Sequence, residues 1–226
     1  MRGLELAYWL ILASLACGCR QSGHAEKPGV ISRSMPSSEQ AAEVEKEIKA
    51  WFAGPQESNT YGTWRRRGDS LRALVPVLLK SSDNNVVHEA LLMARDEFSV
   101  PEVVPDVIRA LEELLTTPAD PEAGTRMVAC DVLGKARNPK AIAVLLQALE
   151  DPYLQIVRTP VPGDHGVEMS WNAVWRDADA ALRRITGANP VEPPGGRNPG
   201  DRDKTRKAWL AWWEREGKTK YGGGEK

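Results

Sequence analysis

The chain has 226 residues, 42% of them hydrophobic, which suffices for one folded domain with tails. Lysine and arginine total 30 and aspartate and glutamate total 31, so the formal net charge is −1. Nucleic-acid-binding proteins usually carry a strong basic excess, and this balance argues against a nucleic-acid partner. Only Cys130 lies beyond the first nineteen residues, so that part of the chain cannot form an internal disulfide.

Residues 1–19 have the pattern of an export signal. Arg2 gives a positive start, and residues 6–16 form an apolar core that is shorter than the about 20 residues needed to span a bilayer. The small residues that end this segment resemble a bacterial lipoprotein signal. That resemblance implies lipidation of Cys19, with Cys17 as the alternative, and a membrane-anchored protein of the cell envelope, periplasmic or at the surface. An ordinary cleaved signal peptide is the competing interpretation.

Three further boundaries follow from composition. Residues 20–36 are polar and rich in Gly, Ser and Pro, which predicts a disordered tether. Apolar residues spaced by three and four predict a helix over residues 37–52, which we expect to cap the N-terminal end of the fold. The folded domain is predicted over residues 37–217, and residues 218–226 are predicted to be a disordered tail.

Residues 125–151 have the pattern of one helical hairpin. Apolar residues recur every three or four positions in both halves, and this spacing places Arg126 on the polar side of the first helix. Asn138 and Pro139 predict the turn, because proline disfavours helical geometry in the residue before it and suits the first turn of a helix. Weaker copies of the pattern lie around residues 86–94 and 174–182, so the chain is predicted to contain structural repeats.

The motifs LVPVLLK, DNNVVHEALLMAR, VACDVLGKARNPKAIAVLLQALED and WRDADAALRRITG resemble HEAT repeats, of the short bacterial kind first associated with phycobilisome lyases. The resemblance covers residues 69–187. It implies an all-α fold, a short α-solenoid of HEAT-like helical hairpins with N- and C-terminal capping helices. It also implies a function in protein–protein interaction, with an enzyme-associated or lyase-like role as the alternative, because this pattern specifies function poorly.

Residues 153–170 exceed the loop length that the other repeats predict. Two β-prone runs flank a turn rich in Pro and Gly, which predicts one β-hairpin insertion at an edge of the solenoid. Long loops on rigid scaffolds often carry binding residues, and the candidate partner contacts are Tyr153, Val161, His165 and Trp171. Asp164, His165 and Glu168 resemble a metal or acid–base cluster only weakly, since no further histidine completes a site, and no metal is predicted.

Two expectations concern the C-terminal part. Trp171 and Trp175 are four residues apart, and we expect them to pack together at the start of a helix. A last helix is predicted over residues 201–217, with Asp201 or Asp203 as its N-cap and Gly217 as its end. Its tryptophans are expected to cover the open end of the solenoid. The competing interpretation is a helix lying in a membrane interface.

The sequence shows no convincing catalytic arrangement. Cys130 sits on the packed side of its helix, where a free cysteine is usually a small buried hydrophobe. His88 has no second ligand at helical spacing, so a metal site is not predicted there. We therefore predict a non-catalytic protein-binding scaffold without a cofactor. Peripheral membrane binding through residues 64–67 or 209–213 is a further alternative.

Overall fold

The computed structural model describes residues 37–54, 71, 73–96, 103–116, 122–160, 167–191 and 199–222. Most of these residues are helical, as the spacing of apolar residues predicts. Within these ranges, no helix has both the length and the apolar character that a membrane crossing requires. The predicted signal segment, Cys19 and the tether lie outside the described residues.

The described helices are α1 Ser37–Ala53, α2 Val75–Leu78, α3 Asn84–Asp96, α4 Val104–Thr116, α5 Ala123–Ala136, α6 Ile142–Ala148, α7 Val174–Thr186, α8 Pro199–Trp212 and α9 Lys218–Tyr221. A 3-10 turn, Pro139–Ala141, precedes α6, and a π-helical turn, Trp213–Gly217, joins α8 to α9. Two strands, β1 Gln155–Pro160 and β2 Val167–Asn172, lie between α6 and α7.

The helices form two rows. α1, α3, α5 and α7 pack side by side and are called the first-helix row. α4, α6 and α8 pack in the same order and, with α2, are called the second-helix row. α2 joins this row through its C-terminal turn, where an Arg109 Nη2–H donates to the Leu79 carbonyl oxygen at 3.0 Å. Each hairpin thus contributes one helix to each row, which is the arrangement of a solenoid.

The core lies between the two rows. Each of the five consecutive helices α3 to α7 contributes a fully buried leucine: Leu91, Leu111, Leu133, Leu145 and Leu182. Burial of apolar surface contributes about 25 cal/mol per Å², and a single hairpin would leave one side of its leucines in water. Stacking of neighbouring hairpins therefore provides most of the stabilisation.

The first-helix row is tightest where α5 meets α7. A Cβ atom built on Gly134 would lie 2.8 Å from the Ala181 Cα atom and 2.9 Å from its Cβ atom. Real Cβ atoms do not approach other carbon atoms so closely, so a side chain at position 134 forces the two helix backbones apart. The close contact explains why a glycine is accommodated in the last turn of α5, although a glycine inside a helix costs about 1 kcal/mol relative to alanine.

Gly134→Ala is expected to lower the free energy of unfolding by about 1–3 kcal/mol, because overpacking displaces the α5 and α7 backbones. Gly124→Ala is the matched control. No atom lies within 4 Å of a Cβ built at Gly124, and this substitution in the same helix should stabilise by about 0.4–1 kcal/mol. Urea unfolding at constant m-value measures both changes. Equal effects of the two substitutions would show that the α5–α7 contact is not tight.

The C-terminal helix begins earlier than the sequence predicts. Asp201 and Asp203 lie inside α8, so the prediction that one of them is the N-cap is wrong. Pro199 is the first helical residue, a position that suits proline because its fixed φ is already helical and its missing N–H is not needed.

The same helix also continues past its predicted end. Gly217 has a φ of −63°, in the right-handed helical region, and the chain remains helical as far as Tyr221. The Tyr221 hydroxyl donates to the Thr186 carbonyl oxygen at 3.3 Å, and its ring lies 6.3 Å from that of Trp212. These contacts give residues 218–221 a place in the fold.

The two strands pair antiparallel, with Gln155 opposite Asn172 and Pro160 opposite Val167. Residues 161–166, where the sequence predicts the turn, lie outside the described residues, so the complete hairpin stays a prediction. Trp171 belongs to β2, and α7 begins only at Val174. The expected helical packing of Trp171 on Trp175 is therefore wrong, because four-residue spacing brings side chains together only within a helix.

Candidate functional site

The four predicted contact residues are placed unequally. Tyr153 is partly buried and packs against the core, and its backbone N–H donates to Asp151 Oδ1 at 2.9 Å. Trp171 lies in the described backbone of β2. Val161 and His165 fall outside the described residues. Tyr153 precedes β1 and Trp171 lies near the end of β2, so the two residues flank the base of the strand pair.

A buried ion pair fixes the start of this segment. Arg126 Nε–H donates to Asp151 Oδ2 at 2.6 Å, and both side chains are 1% exposed or less. The prediction that Arg126 lies on the polar side of α5 is wrong, because its carboxylate partner comes from the chain directly after α6. Asp151 thus binds α5 and the Tyr153 backbone together, and it orients the chain where the strands begin.

A second buried carboxylate holds the last helix. Trp209 Nε1–H donates to Asp179 Oδ1 at 2.6 Å, and Arg183 Nε–H donates to Asp179 Oδ2 at 2.8 Å. Arg183 Nη2–H also donates to the Val191 carbonyl oxygen at 3.1 Å. Both oxygens of Asp179 are therefore paired, as burial of a charge requires. The sequence analysis did not identify Asp179 as a buried carboxylate, although its place among the apolar positions of α7 indicates burial.

A cleft of about 300 Å³ runs along α7 from the end of β2. Its lining residues are Asn172, Ala173, Arg176, Asp177, Asp179, Ala180 and Arg183, and we call it the α7 cleft. Asp179 and Arg183 are bonded to each other inside it. The lining combines charged groups with small side chains, which suits recognition of a polar surface. Among these seven lining residues there is no nucleophile next to a base, the pairing that covalent catalysis needs.

The carboxyl group of Asp177, in the α7 cleft, has a pKa above its ordinary value. Burial, together with repulsion by Asp131, raises the pKa of Asp177 from 3.8 to about 6, while Arg176 and Arg184 oppose the shift. Arg184 Nη1–H donates to Asp131 Oδ1 at 2.6 Å, and Lys135 Nζ lies 3.3 Å from Asp131 Oδ2. Asp131 is therefore paired with Arg184 and Lys135, and it lies close enough to Asp177 to repel its carboxylate.

Asp177→Asn is expected to flatten the dependence of stability on pH. The folded-state pKa of Asp177, about 6, lies above its ordinary value of 3.8. Its stabilising contribution is therefore fully present below about pH 4 and is lost as the pH rises through 6. The loss is on the order of 2 kcal/mol by pH 8. Urea unfolding of both proteins between pH 4.5 and 8 measures the difference, and Asp203→Asn, at an exposed position, should keep the wild-type slope. Parallel curves for Asp177→Asn and wild type would contradict the expectation.

Cys130 and His88, the two residues considered above for catalysis or metal binding, both take part in packing between helices. Cys130 is fully buried, and burial, with Asp177 and Asp151 nearby, raises the pKa of its thiol well above the usual range. His88 Nδ1 lies 3.2 Å from Thr125 Oγ1, a contact between α3 and α5. Across the part of the chain that the structure describes, no three His, Cys, Asp or Glu side chains are grouped to hold a metal ion.

The two rows of helical hairpins place the chain among the α-solenoid repeat proteins. Residues 65–161 match the model of the family HEAT repeats, which supports a HEAT-repeat domain over that part of the chain. HEAT repeats generally mediate protein–protein interactions. No curated protein and no solved structure matches this chain. The match includes the buried Arg126 and Asp151, whereas α7 and α8 stack beyond its end.

Proposed function

We propose that this chain is a non-catalytic scaffold that binds another protein, exported and anchored by a lipid on Cys19. The single observation that carries the proposal is the match of residues 65–161 to HEAT repeats, whose described helices stack as hairpins. Solenoids present extended, rigid surfaces, and long loops on such scaffolds tend to carry the binding residues. The insertion after α6 is the longest such segment between described helices.

The proposed anchor rests on the N-terminal sequence. A short apolar segment followed by Gly18 and Cys19 is typical of a bacterial lipoprotein signal. Residues 20–36 would then connect the lipid to α1, and a fully extended chain of this length reaches about 60 Å. That reach lets the domain bind a partner well above the headgroups. Burial of Trp209 and Trp212 in the core supports a capping helix over an interfacial membrane helix.

The proposed contact surface is a β-hairpin over residues 153–170. Antiparallel pairing of β1 with β2 supports it, since the pairing brings the two ends of the segment together. Its base is held by the buried Asp151 on one side and by Ala173, also buried, on the other. The proposed partner contacts are Tyr153, Val161, His165 and Trp171.

A cross-linking pull-down from intact envelopes tests the binding proposal. The full chain is compared with a Val161→Ala, His165→Ala double variant. Lys140→Ala is the matched control: Lys140 is exposed in the loop within the central hairpin, at the edge of the stack opposite the insertion. We expect one specific protein to be captured by the full chain and by Lys140→Ala, and at least tenfold less by the double variant. Equal capture by all three would remove the insertion from the contact surface. No specific capture by any would contradict the scaffold.

The anchor is tested separately. Cys19→Ala should move the protein from the membrane fraction to the soluble fraction and abolish incorporation of a labelled fatty acid. Cys17→Ala should change neither result. Full labelling of Cys19→Ala together with loss of labelling in Cys17→Ala would assign the lipid to the other cysteine. Absence of label from the wild-type chain would contradict lipidation.

A further inference from the structure

We propose that residues 213–221, called the C-terminal strap, are a conformational switch that covers the Trp212 ring in a π-helical register and uncovers it in a continuous α-helical register. The strap consists of the π-helical turn Trp213–Gly217 and of α9. α8 precedes the turn and α9 follows it, so the irregular hydrogen bonding is confined to one turn of an otherwise α-helical segment. Single π-helical turns inside α-helices occur frequently at functional sites.

The π-helical turn determines which side of the strap faces the core. The Lys218 backbone N–H donates to the Trp213 carbonyl oxygen, so the turn holds one residue more than an α-helical turn does. In a continuous α-helix, Tyr221 would point about 180° away from Trp212 around the helix axis. The additional residue reduces this angle to about 80°. The two side chains can therefore meet, and their ring centroids lie 6.3 Å apart.

Two contacts of Tyr221 depend on this register. Its hydroxyl donates to the Thr186 carbonyl oxygen at 3.3 Å, and its ring packs beside the Trp212 ring. Thr186 is itself held in place, because its hydroxyl donates to the Leu182 carbonyl oxygen at 2.7 Å and accepts the Ala188 backbone N–H at 3.1 Å. A neutral hydrogen bond changes an equilibrium by about tenfold at most. The Tyr221 contacts therefore favour the π-helical register without excluding the other.

The α-helical register keeps two other side-chain contacts of the strap. Lys218 Nζ lies 2.7 Å from Glu214 Oε2, and Trp212 Nε1–H donates to Glu216 Oε2 at 3.1 Å. Each pair is four residues apart, the spacing that brings side chains together in a continuous α-helix. A change of register thus gives up the Tyr221 contacts and retains these two. The Trp212 ring and the Thr186 carbonyl oxygen then lose their cover beside the end of α7.

Gly217 allows close packing in the π-helical register. A Cβ atom built on this residue would overlap the Trp213 ring and lie 2.9 Å from Trp212 Cζ3. Gly217 has a φ of −63°, which any residue can adopt, so the glycine is required by the space beside the two rings and not by its backbone conformation. A side chain at position 217 therefore disfavours the observed register.

Fluorine NMR of the full chain labelled with 3-fluorotyrosine measures the two registers, because the Tyr221 ring has different surroundings in each. Tyr221→Phe assigns the Tyr221 signal by its absence. We expect a major signal from the covered state and a minor signal in exchange with it. Gly217→Ala should raise the proportion of the minor signal at least tenfold. Gly124→Ala is the matched control, since no atom lies within 4 Å of its added Cβ, and it should keep the wild-type proportions.

Deletion of Arg215 tests the other direction. The Arg215 side chain is 66% exposed, and its loss converts the π-helical turn into an α-helical turn while Tyr221 keeps its angle to Trp212. The minor signal should fall at least tenfold. Amide hydrogen exchange across residues 214–221 should slow by a similar factor, because each change of register breaks the backbone hydrogen bonds of the strap.

Three results would overturn the proposal. The first is a single Tyr221 signal in both the wild type and Gly217→Ala. The second is an equal change of the proportions in Gly217→Ala and Gly124→Ala. The third is a folded deletion variant in which the covered signal is lost, because the π-helical turn would then not place Tyr221 on Thr186. Circular dichroism shows which variants are folded, and if the deletion variant is not, the signals of the two alanine variants decide.

Discussion

Asp151→Ala is expected to lower the free energy of unfolding by about 3–5 kcal/mol. The substitution removes the carboxylate that Arg126 binds at 2.6 Å while leaving the guanidinium fully buried. It also removes the oxygen that accepts the Tyr153 backbone N–H. A buried charge that loses its counter-charge costs more than the pair itself contributes, because its desolvation is no longer offset. Urea unfolding at pH 7 measures the change.

Glu150→Ala is the matched control one residue earlier. Glu150 forms an ion pair with Arg206 at 2.5 Å, about as short as the pair between Arg126 and Asp151, but the Arg206 and Glu150 side chains are 38% and 59% exposed. Exposed pairs contribute about 0–1 kcal/mol, so this substitution should have little effect. Similar losses for Glu150→Ala and Asp151→Ala would show that burial of the inner pair does not determine its energy.

A double substitution separates the energy of the pair from the energy of an isolated charge. Arg126→Met with Asp151→Leu removes both charges and keeps apolar volume in the same place. Buried ion pairs replaced in this way often leave stability unchanged or raised. We therefore expect the double variant to be at least about 2 kcal/mol more stable than Asp151→Ala. A double variant as unstable as the single one would show that the loss comes from the Tyr153 N–H or from packing.

The sequence predicts the hairpins well because their signal is local. Leu133 and Leu145 recur with helical spacing, and Asn138 with Pro139 marks the turn through its own backbone preferences. The Asn138 side chain accepts the Lys140 backbone N–H at 3.0 Å, so the 3-10 turn is stabilised by residues within the same segment. Each of these properties depends on neighbours within about one helical turn, and a single sequence contains that information.

The polar groups of the interior depend on distant partners and were mispredicted or missed. Helical spacing places Arg126 on the polar side, yet a carboxylate 25 residues later makes its burial possible. Asp179 is buried because Trp209 approaches it from 30 residues away. The α7 cleft likewise needs β2 and α7 to meet. Which charges can be buried is thus a property of the stack, and the proposed contacts of residues 153–170 are still predictions.

Trp209→Ala should destabilise the protein by about 3–5 kcal/mol. The Trp209 side chain is completely buried, its ring lies 5.3 Å from that of Trp212, and its N–H donates to Asp179. Alanine leaves a cavity at the end of the core and takes the indole donor away from a buried carboxylate, so the packing and the hydrogen bond are lost together.

Two variants separate these contributions. Trp209→Phe keeps most of the ring volume but cannot donate to Asp179, and it should lose about 1–3 kcal/mol, the cost of a buried acceptor without its donor. Trp213→Ala removes a ring that is only partly buried, and its loss should be smaller than that of Trp209→Ala. Thermal and urea unfolding rank the three variants by their loss of stability. If Trp209→Ala lost no more than Trp213→Ala, α8 would not close the core, and the first and second rows would need another element to cover their C-terminal end. If the expected order holds, the helix that ends the stack is fixed by one carboxylate on α7, and Asp179→Asn should then reproduce much of the Trp209→Phe loss.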